Sequence, residues 1–182
     1  MNADDIHFRP GTAADALCLG VLALQVFLDT YATEGIRPTV AREVLEQFST
    51  EAMRAKLAQP DTHFIVAERA GHLLAFAHLT LGTAHEHVPQ RPSAELDRLY
   101  VQEPFTGRGV GKALLTQAET LARREGVAAM WLTTWVGNTR ALAFYPLRGY
   151  RDCGATLYEF QNEQHENRVF VKALIEAGSG RS

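Results

Sequence analysis

Cysteine is almost missing from this chain. Cys18 and Cys153 are the only two among 182 residues, too few and too isolated for a disulfide framework, so a reducing, cytoplasmic setting is expected. Positive charge is also scarce: 18 Lys and Arg stand against 21 Asp and Glu, and the net charge of -3 argues against nucleic acid held by bulk electrostatics. No long hydrophobic run occurs. The most apolar stretch, Ala16 to Leu28, is interrupted by Gly20 and Gln25 and falls short of the roughly 20 residues that span a bilayer. It has no basic leader and no cleavage site, so neither a membrane span nor a signal peptide is expected. His85 and His87 lack a third ligand at sensible spacing, so no metal site is expected and the pair is placed on a surface loop. Repeats and low-complexity segments are absent as well.

What is present fits one globular domain, residues 1–175, with a small, polar tail at 176–182 that is expected to be disordered. Ile6 to Arg9 reads as a first strand, and Thr12 to Asp15 as a capping-box start for a helix carrying Leu17, Val21, Leu24 and Leu28 along one stripe. Val40 to Phe48 and Glu51 to Gln59 read as two short helices, with Ser49 or Thr50 capping the second. Phe64 to Glu68 and His72 to Leu81 form a hairpin closed at Ala70-Gly71, and Gly82 to Pro92 is a loop. A strand at Glu95 to Val101, a helix at Ala113 to Glu125 and a strand at Ala129 to Val136 make a strand-helix-strand unit, hence a parallel pair. A helix at Asn138 to Leu147 and two strands, Tyr150 to Tyr158 and Arg168 to Leu174, complete a mixed α/β sheet.

The chemistry points to the junction between the Glu95 strand and the helix after it, where Gly107, Arg108, Gly109, Val110, Gly111 and Lys112 follow one another. A glycine-rich turn opening a helix offers backbone N–H groups at the positive end of the helix dipole and attracts phosphate. A Walker loop fails on spacing, because Thr106 fills its first glycine slot and Ala113 its hydroxyl slot. A dinucleotide fingerprint fails too, because Lys112 or Leu114 falls where the last glycine belongs. What remains is a loop with glycine at alternate positions, letting backbone approach a pyrophosphate while Arg108 and Lys112 add charge from its edges. Coenzyme A carries such a pyrophosphate.

The stretch from Glu95 to Leu115 resembles the acetyl-CoA-binding segment of the GCN5-related N-acetyltransferase (GNAT) superfamily, whose signature is Gln/Arg-x-x-Gly-x-Gly/Ala. Asn138 to Tyr150 resembles a later motif of the same superfamily, and the two motifs come in the family's order. Phe27 to Tyr31, taken with Trp135 to Ala141, is similar to the bacterial spermidine/spermine acetyltransferase branch. The resemblance implies a single GNAT-type α/β domain. Its mixed central sheet would have about six or seven strands flanked by helices, with a parallel pair splayed for acetyl-CoA. It also implies acetyl-CoA as co-substrate, no metal, and transfer of an acetyl group to a primary amine by direct attack in a ternary complex. Thr106 departs from the family, standing in its Gln/Arg slot, and its hydroxyl is left as a cap for the helix.

The residue roles follow from this resemblance. The amides of Gly107 to Lys112 would hold the pyrophosphate, while the edge of Leu99, Tyr100 and Val101 pairs with the pantetheine amides as an added strand does. Alternation puts Glu95, Asp97, Leu99 and Val101 on one strand face and Ala94, Leu96, Arg98 and Tyr100 on the other. Glu95 stands at the family's acid-base position, Asp97 is the backup, and water relays are a third route. Tyr145 matches the tyrosine that points at the cofactor sulfur and protonates the leaving thiolate. Pro146 disfavours helical geometry before it, so the helix is expected to kink or end close to Tyr145. Asn138 has two roles: it caps the same helix and, in the family, it bonds the pantetheine arm.

Asp29, Tyr31 and Glu34 read as a loop ending at Pro38, where carboxylates beside an aromatic suit a polyamine or other cationic amine. Trp131 and Trp135 read as core or partner-facing. A protein that binds acyl-CoA without turning it over, and an enzyme acting on protein N-termini or lysines, stay open as alternatives. Edge pairing of the last strands suggests a homodimer.

Overall fold

The computed structural model describes residues 6–160 and 163–175; the tail at 176–182 lies outside the described residues. Seven strands form a mixed sheet in the order β1-β2-β3-β4-β5-β7-β6, and β4 and β5 are the parallel pair that the strand-helix-strand pattern predicts. The strands are β1 (His7–Pro10), β2 (Thr62–Arg69), β3 (His72–Leu81), β4 (Ser93–Val101), β5 (Ala129–Trp135), β6 (Arg151–Phe160) and β7 (Glu163–Ala173). The helices are α1 (Ala16–Tyr31), α2 (Pro38–Gln47), α3 (Thr50–Leu57), α4 (Val110–Arg124) and α5 (Thr139–Phe144). The chain divides into two compact units, one holding the residues up to Leu79 with Arg98–Ala118, the other Thr80–Asp97 with the residues from Glu119 on.

In the first unit, β1 runs antiparallel to β2. Thr12 and Asp15 close the capping box that their spacing predicts. Arg9 grips Asp15 with two contacts of 2.8 Å, which hold the Asp15 carboxyl down at about 2, and Glu68 with two more of 2.7 and 3.0 Å. Ser49, not Thr50, caps α3, accepting from Ala52 N at 3.1 Å. Ala70 and Gly71 both have positive φ, 48° and 76°, as a two-residue hairpin turn with the strands' twist requires.

The predicted stripe on α1 is wrong in part. Leu17 and Val21 are 60% and 61% exposed, and Leu24 and Leu28 are half-buried. The buried side is Ala16, Leu19, Gly20, Leu22 and Ala23. Gly20 decides this, because a Cβ there would collide with the Phe48 carbonyl oxygen, so the helix approaches backbone through its smallest residue. The helical stretch Ala13–Tyr31, 19 residues with mean hydropathy 1.6, is also long and apolar enough to cross a membrane by length and composition. Length therefore does not exclude a span, although core helices meet the same criterion.

His78 on β3 is buried and stacks on Phe64 at 4.3 Å and 9°. Burial, then the charges of Arg98 and Lys56, push its pKa down to about 3. The folded chain thus refuses a proton that the unfolded chain accepts below about 6.5, and stability falls as pH drops through that window. Between pH 7 and pH 5 this group alone removes about 2 kcal/mol. Urea unfolding at both pH values should show that His78→Leu loses less stability than wild type across the interval; equal losses would remove His78 as the cause.

The second unit is built on β5, β6 and β7. β5 pairs antiparallel with β7 from Ala129↔Ala173 to Trp135↔Asn167, and β7 pairs with β6 around a bulge between Asp152 and Gly154. β7 begins at Glu163, five residues before the predicted start, because the polar Glu163–Asn167 stretch continues the β6 hairpin. Trp131 belongs to a core cluster with Val88, Ala129, Val169 and Val171. The parallel ladder of β4 with β5 covers Ser93↔Ala129, Ala94↔Met130 and Glu95↔Trp131, while β4 itself runs on to Val101.

Candidate active site

In the first unit, a 3₁₀ turn at Glu103–Phe105 follows β4 and leads into the glycine loop. Gly107 and Gly109 take φ of 70° and 84°, conformations that an L side chain resists. A Cβ on either would meet nothing within 4 Å, so backbone geometry rather than crowding calls for glycine, and the space beside both is open. Ala113 N–H is the first to bond back, to the Gly109 carbonyl at 2.9 Å. Val110, Gly111 and Lys112 therefore form the first turn of α4, earlier than the predicted start at Ala113, with their N–H groups ahead of the first helical bond.

Thr106 does not cap α4. Its hydroxyl donates to the Glu103 carbonyl at 2.9 Å and closes the preceding 3₁₀ turn instead. Arg108 lies 6.0 Å from the Phe105 ring centre and Lys112 is exposed, so both flank the loop. Leu99, Tyr100 and Val101 are half-buried, and Tyr100 meets Phe76 edge-on at 5.5 Å.

The acceptor candidates do not share a loop. Asp29 and Tyr31 sit in the last turn of α1, and only Glu34 lies in the connection to α2, where Pro38 occupies the first turn. All three are exposed, and Tyr31 packs on Phe27 at 4.6 Å. A carboxylate at a helix C-terminus opposes the dipole, so Asp29 is not there for helix stability.

In the second unit, the two-face pattern of β4 holds from Ala94 to Asp97, whereas Arg98 to Val101 are half-buried on both faces. Ala94 and Leu96 are buried, while Glu95 and Asp97 are half-buried. The Asp97 carboxylate accepts from the Thr80 hydroxyl at 2.8 Å. Glu95 stands in register with Trp131, whose indole N–H donates to the Thr83 hydroxyl at 3.1 Å.

His85 and His87 are not simply surface residues. His85 packs on Trp131 at 4.9 Å, and His87 Nε2 lies 3.2 Å from the Ala155 carbonyl oxygen. Burial first, then the neighbouring His87, lowers the His85 pKa, which keeps it neutral near pH 7. Among the described residues no group of three or more His, Cys, Asp or Glu is placed to hold a metal.

Asn138 and Tyr145 flank α5, at its N-terminal and C-terminal ends. Asn138 accepts from Ala141 N at 3.1 Å, the capping role its sequence position predicts. Pro146 ends the helix at Phe144, three residues short of the expected Leu147, because it supplies no N–H. Tyr145 nevertheless keeps helical φ and ψ of -70° and -40° and is 8% exposed. Sequence reasoning missed Arg148, which donates to the Phe144 carbonyl at 2.7 Å and lies 3.6 Å from the Phe144 ring centre. A cation just past a short helix was the available signal.

Comparison with known proteins agrees with this architecture. The profile of the acetyltransferase (GNAT) family matches residues 29–150. An uncharacterized N-acetyltransferase in the pepI 3′ region of Lactobacillus delbrueckii subsp. lactis is 22% identical over 85% of this chain and 89% of its own. The spermidine N(1)-acetyltransferase of Thermoplasma acidophilum is 25% identical over 80% of this chain and 88% of its own. The crystal structure of the PaiA N-acetyltransferase from Thermoplasma acidophilum in complex with coenzyme A superposes with a TM-score of 0.72 at 22% identity, covering 92% of this chain and 98% of that one. With the profile spanning most of the chain and the fold shared, the protein is an N-acetyltransferase that belongs to the GNAT family.

Proposed function

We propose that this enzyme moves the acetyl group of acetyl-CoA to a primary amine, a polyamine or another small cationic amine, by direct attack while both are bound. One observation carries it: the first turn of α4 opens from Gly107 and Gly109, both at positive φ with open space where a side chain would stand. A diphosphate fits such a cradle, because the N–H groups of Gly107 to Lys112 donate and Arg108 and Lys112 add charge. Leu99, Tyr100 and Val101 pair with the pantetheine amides, and an N–H near Leu99 or Tyr100 polarises the thioester carbonyl. Asn138 bonds the pantetheine arm while it caps α5.

Acetyl-CoA supplies an activated acyl carbon. The amine nitrogen bonds to it as the carbon–sulfur bond breaks. Glu95, directly or through water, takes the proton from the ammonium, and Tyr145 gives a proton to the departing thiolate. Asp97, whose carboxylate accepts from the Thr80 hydroxyl, is the backup base. Asp29, Tyr31 and Glu34 attract the cationic acceptor; the spermidine enzyme among the relatives supports the polyamine choice.

The test is release of free thiol from acetyl-CoA, followed with a thiol reagent, across a panel of polyamines, amino acids, other small amines and peptide N-termini. Saturation in both substrates with a polyamine or small amine is expected. Saturable acetyl-CoA binding with no thiol release from any acceptor would support a non-catalytic sensor instead, and turnover of peptides alone would support a protein acetyltransferase.

A further inference from the structure

The Tyr145 ring is packed from three sides: Phe144 at 5.1 Å and 90°, Tyr150 at 5.6 Å and 68°, and Phe170 at 6.0 Å and 34°. Phe144 and Phe170 are ordinary apolar neighbours. Tyr150 is not, because it connects Tyr145 to the most heavily charged part of this unit's interior. It is 3% exposed, and its buried hydroxyl meets no acceptor in good hydrogen-bond geometry but faces the Glu119 carboxylate closely enough for that group to act on its pKa. Lys172 Nζ sits 5.5 Å from its ring centre. That ammonium bonds both oxygens of Glu119 at 2.8 Å, and Arg123 reaches the same carboxylate at 3.3 Å. Glu119 is itself 6% exposed.

Burial, with Glu119 next in weight, raises the Tyr150 pKa well above its ordinary value, so the phenol stays neutral. Only Glu119 in this cluster is buried, with Lys172 part-exposed and Arg123 exposed, and an ion pair made at a buried carboxylate is seldom a gain in stability over apolar side chains of the same volume. What it does supply is fixed geometry, since a two-point contact to a carboxylate holds Lys172 in one place. The Lys172 stem also runs beside Gly149, where a Cβ would lie 3.6 Å from its Cε, and Tyr150 N–H donates to the Tyr145 carbonyl at 3.3 Å.

We propose that Tyr150 is a positioning residue for Tyr145, its ring locked by the Lys172–Glu119 pair and in turn fixing the direction of the Tyr145 phenol. This rests on Tyr145 being the proton donor. A ring free to tilt would move the phenol oxygen by about 1 Å, and misplacement of that order costs up to about 100-fold in rate.

Steady-state kinetics of Tyr150→Leu test it, alongside thermal melting. The expected result is a fall in kcat of about tenfold or more with the acetyl-CoA KM within about twofold of wild type. Tyr150→Phe, which keeps the ring and removes only the hydroxyl, is expected to recover most of that loss. Should Tyr150→Leu fail to fold, Lys172→Met carries the test, with a fall in kcat at unchanged KM expected. An unchanged kcat in the folded variant, or a loss shared by kcat and KM that phenylalanine does not rescue, overturns the positioning role. Tyr145→Phe run beside them separates the two ideas: if it alone is silent the proton-donor assignment fails, and if it is impaired while Tyr150→Leu is silent only the positioning role fails.

Discussion

Tyr145→Phe is expected to lower kcat by about 100-fold, the lower end of what a positioned general acid contributes, because water can replace the phenol in part. The acetyl-CoA KM should stay within about twofold, since the phenol hydrogen meets negative charge on sulfur only as the carbon–sulfur bond breaks. Removing one oxygen atom leaves the ring contacts with Phe144, Tyr150 and Phe170 intact, so the variant is expected to fold. Kinetics with saturating amine, and acetyl-CoA varied, measure both quantities. A variant with wild-type kcat, or one whose KM rises in step with the loss, would take the proton donor's role away from Tyr145.

Gly109→Val should weaken acetyl-CoA binding by about 100-fold. The position has φ of 84°, which costs an L residue roughly 1–2 kcal/mol, so the loop is expected to relax toward negative φ and turn its N–H groups off the diphosphate. Losing two hydrogen bonds to a charged ligand at about 1.5 kcal/mol each corresponds to about that factor in Kd. The new side chain would also fill the space beside the loop, in which a Cβ meets no protein atom within 4 Å. The strain is small against the roughly 5–15 kcal/mol that stabilises a folded domain, so the variant stays folded. Calorimetric titration with acetyl-CoA decides the matter, and a Kd within about threefold of wild type would mean that the diphosphate lies elsewhere.

Local features are legible in the amino-acid sequence. The Ala70-Gly71 hairpin, the Thr12–Asp15 capping box, the Asn138 cap and the positive-φ glycines of the loop each depend on residues a few positions apart, so the chemistry of the segment settles its shape. Pro146 is equally local: its missing N–H stops α5 at Phe144, close to where its position in the chain implies. Sequence and structure part where one local rule meets a competing partner. Thr106 has a hydroxyl suited to capping α4, yet the Glu103 carbonyl stands closer. Leu17 and Val21 keep helical spacing, but the side of α1 that turns inward is the one carrying Gly20, which alone fits against Phe48. Asp29 and Tyr31 look like loop residues because no glycine or proline follows them closely enough to mark where the helix stops.

The sequence by itself determined the glycine loop at the head of α4, the alternation that sets Glu95 and Asp97 apart from Ala94 and Leu96, and the asparagine-capped helix leading to Tyr145. Each is fixed by backbone conformations and periodicities that act over a turn or a pleat. Only the tertiary structure decided what surrounds Tyr145, because Lys172 meets a carboxylate 53 residues earlier in the chain and no spacing rule links them. Pairing of that kind follows from which buried faces are brought against each other, a property of the packed chain rather than of any segment in it.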